Sequence, residues 1–273
     1  MMEGELLTRY KPTLLENNGI ITDDNYYQDR EYISASMIKA ASTCSKVKFD
    51  HIMNSNIETE SMLIGSAFHH MMLEPDTFKD NYAFEPAMDR RTKAGKEYIK
   101  EWKELNSHIP NHVPGKSEEM LLNMKESLLS HPTYKELMSN WNKSYKEEIF
   151  LFNMCNTKCK LKVDYYDPIK NYIVDIKTCN SIDRDDVINS INKYQYFLQA
   201  AFYMDALKAD NFYFVFIEKK APYDILIADY TSRLDDGRVF YSIGISNIEL
   251  FRSMDDLKDT SKMFHNGNSI IGM

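Results

Sequence analysis

Asp175 and Lys177 stand two residues apart in YIVDIKT (172–178), a stretch that is otherwise mostly apolar and β-branched. Side chains on a strand alternate faces, so the carboxylate and the ammonium project to the same side. A hairpin centred between Ile169 and Lys170 sets Asp164 opposite Asp175, because the two are equidistant from that centre. Cross-strand partners lie about 4.5–5.5 Å apart at Cβ, and two carboxylates that close repel unless a cation sits between them. Oxygen ligands without a thiol or imidazole pair favour Mg2+, with Mn2+ as a substitute, and such ions engage phosphates as readily as carboxylates. A lysine beside them can orient or help deprotonate an attacking water, or stabilise charge developing on a phosphate. The competing reading is that Asp164 and Asp175 cap strand ends or pair with Lys162 and Lys177 on a solvated face, since three-residue motifs arise often by chance. Ile173, Val174 and Ile176 mark the strand as buried, where unpaired charge is expensive, and this favours the ion.

The elements that must position these residues are legible in the hydrophobic pattern. From about Glu147 the texture becomes β-rich: EEIFLFNM, CKLKVDYYD and YIVDIKT read as an antiparallel meander. DVINSINKYQYFLQAAFYMDALKAD (186–210) reads as one helix, with Gln195, Gln199 and Tyr203 spaced by four along one face. Two more strands, NFYFVFIEK and YDILIADYT, complete a β-β-β-α-β-β order across 147–232. Upstream, 31–146 is mainly helical. ISASMIKAASTCSKVKFDHIM offers Ser34 or Ser36 as N-cap and Met37, Ile38, Ala41 and Val47 as apolar positions. SMLIGSAFHHMMLEP forms a helix that stops at Glu74-Pro75, and EEMLLNMKESLL follows with Ser117 as its cap. Residues 1–30 lack periodicity and read as a loosely held arm; 31–273 reads as one α/β (α+β) domain ending in a C-terminal tail, 233–273, with a short helix.

Composition sets outer bounds. Apolar residues make up 43% and charged residues 27%, as in ordinary globular proteins, and no run reaches the roughly 18–20 apolar residues of a membrane span. The N-terminus carries acids where a secretory signal carries bases, which points to the cytoplasm. The four cysteines are too few and irregular for a disulfide framework, and CNTKC lacks a second cysteine pair or nearby histidines for a metal. The net charge of −8 argues against a protein that coats nucleic acid, yet DRRTKAGKEYIKEWK (89–103) concentrates six basic residues that could grip it locally.

Taken in order, these motifs resemble a known family. Asp164, Asp175-Ile-Lys177, Glu148 on the preceding strand, and a helix carrying Gln199-Ala-Ala-Phe-Tyr203 resemble the PD-(D/E)xK nucleases, in the RecB-like branch with a QxxxY helix. ISASMIKAASTCSKVKFDHIM, GSAFHHMMLEPDTF and DRRTKAGKEY are similar to the nuclease domain of RecE-type exonucleases (exonuclease VIII), over about residues 30–245. A departure is His69-His70 where that motif has one histidine. The resemblance implies a mixed central sheet flanked by helices. It makes His69, Asp164, Asp175 and the Ile176 backbone carbonyl metal ligands, and Asp164, Asp175, Lys177, Glu148, Gln199 and Tyr203 catalytic. Arg90, Arg91 and Lys93 suit contacts to DNA phosphates. It further implies a Mg2+-dependent exonuclease that degrades linear duplex 5′ to 3′ and leaves 3′ single-stranded tails, in a phage or prophage recombination system. A RecT-like single-strand annealing recombinase would be the partner, and a ring-like homo-oligomer the assembly. An endonuclease for restriction or repair and a catalytically inactive DNA-binding module are the alternatives. Related nucleases with an iron-sulfur cluster carry a cysteine triplet after the QxxxY helix; no cysteine follows Cys179, so no such cluster is expected.

Overall fold

The computed structural model describes residues 12–55, 59–89, 91–154, 156–231 and 234–264, with side chains to 255. Strands β4 (Tyr145–Met154), β5 (Thr157–Asp167) and β6 (Tyr172–Cys179) form the expected antiparallel meander. Asn156 (φ 64°) and Asn171 (φ 54°) take the left-handed turn conformation at the two hairpin ends, which asparagine tolerates better than most residues. Asp167 Oδ1 accepts the N–H groups of Ile169 (2.8 Å) and Lys170 (3.0 Å), closing the second turn.

From β6 the chain crosses through helices α8 (Arg184–Lys193) and α9 (Tyr196–Leu207) to β7 (Asn211–Glu218), which runs parallel to β6; β8 (Ile225–Asp229) returns antiparallel. Strand β1 (Thr13–Leu15) pairs with the outer side of β4, giving a six-stranded, mostly antiparallel sheet in the order β1-β4-β5-β6-β7-β8.

Helices cover both faces. Helix α1 (Ala35–Thr43), α2 (Lys46–Asn54), α9 and α10 (Leu234–Phe264) pack on one, around Ile38, Phe152, Leu161, Phe202, Phe214 and Tyr241. Helix α3 (Glu60–Leu73), α6 (Glu118–Ser130) and α7 (Pro132–Leu137) pack on the other, around Phe68, Leu121, Tyr165, Val174 and Val215. Two glycines bring α10 close: a Cβ on Gly237 would meet Phe197 O at 2.3 Å, and one on Gly244 would meet Ile38 O at 2.5 Å. Between α3 and α6 run α4 (Phe78–Asn81), β2 (Tyr82–Phe84), α5 (Lys93–Leu105) and β3 (Asn111–Val113); β2 and β3 pair in parallel. Strands of three residues are too short to carry a periodic signal, which is why the sequence does not announce them.

The sequence expectations are corrected in four places. The first helix is two: Ser34 caps α1 through the Met37 N–H, and α2 begins after a break at Cys44-Ser45, leaving Val47 80% exposed rather than in the core. The 186–210 helix is also two, broken at Gln195 (φ 50°), whose carbonyl instead accepts the Leu198 and Gln199 N–H groups. Helix α8 buries only a stripe, Val187 and Ile191, whereas α9 is buried nearly all round, and one straight axis cannot serve both surroundings. The tail contains a 31-residue helix rather than a short one. Of the N-terminal arm, residues 12–30 are packed rather than loose: Ile21 and Tyr26 are buried, and buried Lys160 donates to Tyr26 O (2.6 Å), Asp29 O (3.0 Å) and Asp29 Oδ1 (3.0 Å). Residues 1–11 lie outside the described residues.

Candidate active site

The β5–β6 register is the one that the hairpin centre predicts, but the ladder is short. It pairs Asp167 with Tyr172, Tyr166 with Ile173 and Tyr165 with Val174, then stops one step before Asp164 and Asp175. Beyond that point β5 stays with β4 while β6 stays with β7, so the sheet forks. Asp164 and Asp175 sit at the crotch of the fork. A backbone N–H freed from its ladder needs a partner when buried; the Ile176 N–H finds one in Asp164 Oδ2 at 2.7 Å.

Each aspartate has its own company. Asp164 Oδ2 lies 3.3 Å from Nδ1 of His69, which projects from α3. Asp175, 1% exposed, receives the Gln199 Nε2 amide on Oδ1 at 2.6 Å and faces Lys177 Nζ across 2.5 Å at Oδ2. His70, the second histidine of the pair, turns instead to Thr77 (2.9 Å) and Glu74 (3.3 Å). The carboxylate that joins this group from β4 is Glu147, not Glu148. Glu148 pairs with Val163 in the ladder and its side chain is exposed. Glu147 stands in register with Asp164, takes φ 49°, and brings Oε1 to 4.0 Å from His69 Nδ1. The signal was available: a β4–β5 hairpin centred between Cys155 and Asn156 aligns 147 with 164 by the same equidistance that aligns 164 with 175.

Charge governs the titration of this cluster. Burial disfavours the charged imidazole of His69, but the charge and hydrogen bond of Asp164 and the charge of Glu147 outweigh it and push the pKa up to about 9. Burial likewise opposes charge on Lys177, yet Asp175 and Asp164 hold it protonated, above the ordinary lysine value. Asp175 is raised, chiefly by burial. Asp164 is lowered: His69 and Lys177 overcome its burial. Lys162 bridges Glu147 Oε2 and Asp23 Oδ1, both at 2.8 Å, tying the N-terminal segment to the site.

Ligand atoms of His69, Glu147 and Asp164 all lie within 4.8 Å of one another, the one such group among the described residues. Glu147 Oε1, buried, accepts no hydrogen bond, and Asp175 Oδ2, likewise buried, is met only by the Lys177 ammonium. An unsatisfied carboxylate oxygen converging with an imidazole and a second carboxylate is what a hard divalent cation satisfies, so the residues fit such an ion. Asp175 stands just outside the three-residue group, occupied by Gln199 and Lys177. His69, Glu147 and Asp164 line a cleft of about 430 Å³, whose walls Tyr203, buried on α9, and Gln199 share with Lys39, Ser36, Tyr26 and Tyr27. Arg91 and Lys93 are exposed at the start of α5 and do not line that cleft; Arg91 pairs with Asp89 at 2.9 Å. Arg90 lies outside the described residues.

The fold recurs in a solved structure from Eubacterium rectale described as "Putative exonuclease", with a TM-score of 0.57, 17% identity, and 93% of this chain and 96% of that chain covered. A phage related exonuclease from Haemophilus somnus 129PT is 14% identical over 84% of this chain and 98% of that chain, but its TM-score of 0.40 is too low to establish a shared fold. No curated protein matches the chain. Residues 34–248, which span strands β4 to β8, the fork and every residue of the cluster, match the family described as PDDEXK-like domain of unknown function, DUF3799. The chain is a member of that PDDEXK-like family.

Proposed function

We propose that the protein is a metal-dependent nuclease that hydrolyses DNA phosphodiesters as an exonuclease. The observation that carries this reading is the fork, where His69, Glu147, Asp164 and Asp175 converge beside Lys177. His69, Glu147 and Asp164 would hold the ion, with Asp175 and the Ile176 carbonyl as further donors; Mg2+ suits the oxygen-rich set, and Mn2+ would substitute. When bound, the ion supplies Lewis-acid polarisation of a phosphate.

The protein's own groups account for the rest. The Lys177 ammonium is positioned to stabilise negative charge as it builds on the phosphate, and its raised pKa makes it a cation rather than a base. Gln199 holds Asp175 from behind by donating to Oδ1. Tyr203 backs the cleft wall, and Tyr26 and Tyr27 give it an aromatic side. Lys162 and Lys177 gather positive charge at the site of a chain whose net charge is −8, which lets it take a polyanion locally.

The finer reading is a 5′-to-3′ exonuclease on linear duplex that leaves 3′ tails for a RecT-like single-strand annealing partner, working as a homo-oligomer. The resemblance in the sequence motifs supports it. Linear and circular duplexes incubated with and without Mg2+ test the activity, and end-labelled duplexes test polarity. Loss of linear DNA alone, with the 5′ label released first, is the expected result. Cutting of circles would favour an endonuclease, and inertness toward both would leave a DNA-binding module.

A further inference from the structure

Lys39, on α1, lies in the ISASMIKAASTCSKVKFDHIM stretch but takes no role from it, yet it reaches into the cleft from a position 160 residues before its partner. Its Nζ donates to Gln199 Oε1 at 3.1 Å, and Gln199 Nε2 in turn donates to Asp175 Oδ1 at 2.6 Å. We propose that Lys39 is a positioning residue: it locks the Gln199 side-chain amide in the one orientation that presents its NH2 group to Asp175.

The chemistry of the three groups forces that orientation. A lysine ammonium is donor-only, and an ionised carboxylate is acceptor-only. An amide placed between them can satisfy both in one sense alone, with oxygen toward the lysine and nitrogen toward the aspartate. A flip by 180° would set Gln199 Oε1 against Asp175 and its NH2 against Lys39, losing two hydrogen bonds and adding two repulsions. While it is protonated, Lys39 decides the matter even where Asp175 holds a proton, because a protonated carboxyl could accept either sense while the ammonium could not.

The surroundings make the lock useful. Asp175 is 1% exposed, and a fixed N–H donor on Oδ1 holds the carboxylate with Oδ2 turned to Lys177 at 2.5 Å. Lys39 and Lys177 both stand against the Tyr196 ring, at 5.5 and 5.1 Å from its centroid. The aromatic ring lets α1 and β6 each bring an ammonium to the same carboxylate neighbourhood. Burial and the Lys177 charge, against Asp175, pull the Lys39 pKa down to about 7, so the lock belongs to the ammonium form and the amide resonances are to be read below that pH. The role rests on the nuclease reading for its consequence in turnover, but not for its geometry.

The chain has three glutamines, Gln28, Gln195 and Gln199, so glutamine-selective 15N labelling yields three side-chain NH2 pairs, and Gln199→Ala identifies the relevant one. In the wild-type protein without DNA, the Gln199 pair should be shifted from the free-amide position and slow to exchange with water. Lys39→Met should return it toward the free-amide position, and Lys39→Arg, which keeps a donor-only cation, should hold it shifted. In Mg2+, Lys39→Met should lower single-turnover cleavage by about tenfold or more, with duplex affinity measured in Ca2+ changed less than about threefold, and Lys39→Arg should restore much of the rate. Thermal unfolding identifies any variant that fails to fold. A Gln199 pair unmoved by Lys39→Met, or an affinity loss equal to the rate loss, overturns the positioning role. A wild-type protein inert toward all DNA would sink the nuclease reading instead, while the resonances would still report on the lock.

Discussion

Glu147→Gln set beside Glu148→Gln separates the fork geometry from the residue that the motif order suggests. Glu147 belongs to the three-residue group whose ligand atoms lie within 4.8 Å of one another, and Glu148 is exposed in a ladder position opposite Val163. Contacts of Glu147 with Asp164 and Lys162 exist with and without the ion, so to a first approximation they cancel in a binding difference. What remains is the attraction between one negative charge and a divalent cation. At the contact of about 2 Å that such an ion makes with a carboxylate oxygen, and an effective dielectric constant of about 20, this amounts to about 17 kcal/mol before desolvation is counted. The amide oxygen and an added water recover much of it, so the expected loss in Mn2+ affinity is one to two orders of magnitude, about 1.4–2.8 kcal/mol. Lys162 keeps Asp23 at 2.8 Å in the variant, so the N-terminal segment should stay docked and the melting temperature move little. Titration calorimetry with Mn2+ on the DNA-free protein gives the affinity, and cleavage of a linear duplex should fall in parallel. Glu148→Gln should lie within about threefold of wild type, as exposed surface changes generally do. A strong loss in Glu148→Gln together with near-normal Glu147→Gln would refute the register that places Glu147 across from Asp164.

The remaining predictions concern the other charges of the fold. Lys177→Ala should reduce single-turnover cleavage far more than duplex affinity, because its interaction strengthens as charge develops; equal losses would make it a phosphate anchor. Lys160→Met removes the donor for Tyr26 O and Asp29, and should destabilise by about 2–3 kcal/mol and open residues 12–30 to limited proteolysis; an unchanged digestion pattern would show the segment held by its apolar contacts alone. Asp167→Asn should cost about 1–2 kcal/mol at neutral pH, because the carboxylate takes the Ile169, Lys170 and Asn140 donors. Those donors overcome the burial of Asp167 and hold its pKa below the ordinary value. The stability gap to the variant should therefore be full above about pH 4 and close as pH falls through the folded pKa, and a gap that persists undiminished to pH 2 would contradict it.

What the sequence by itself determined is the part that local rules control. Period-two alternation and turn residues located β4 to β8, and equidistance from a hairpin centre put Asp164 in register with Asp175. Strand alternation put Lys177 on the same side as Asp175, and the motif order singled out Gln199 and one histidine of a pair. The tertiary structure decided where the ladder ends, because a sheet whose central strands are held by different neighbours can split, and no residue type announces the split. That fork gives each aspartate a separate cation, His69 or Lys177, in place of one patch shared across a ladder. It also decided that Glu147 rather than Glu148 faces the site, a difference of one residue that reverses the face of a strand. The break at Gln195, the docking of residues 12–30 and the reach of Lys39 to Gln199 are likewise tertiary, since each depends on partners far apart in the chain that only packing brings within hydrogen-bond distance.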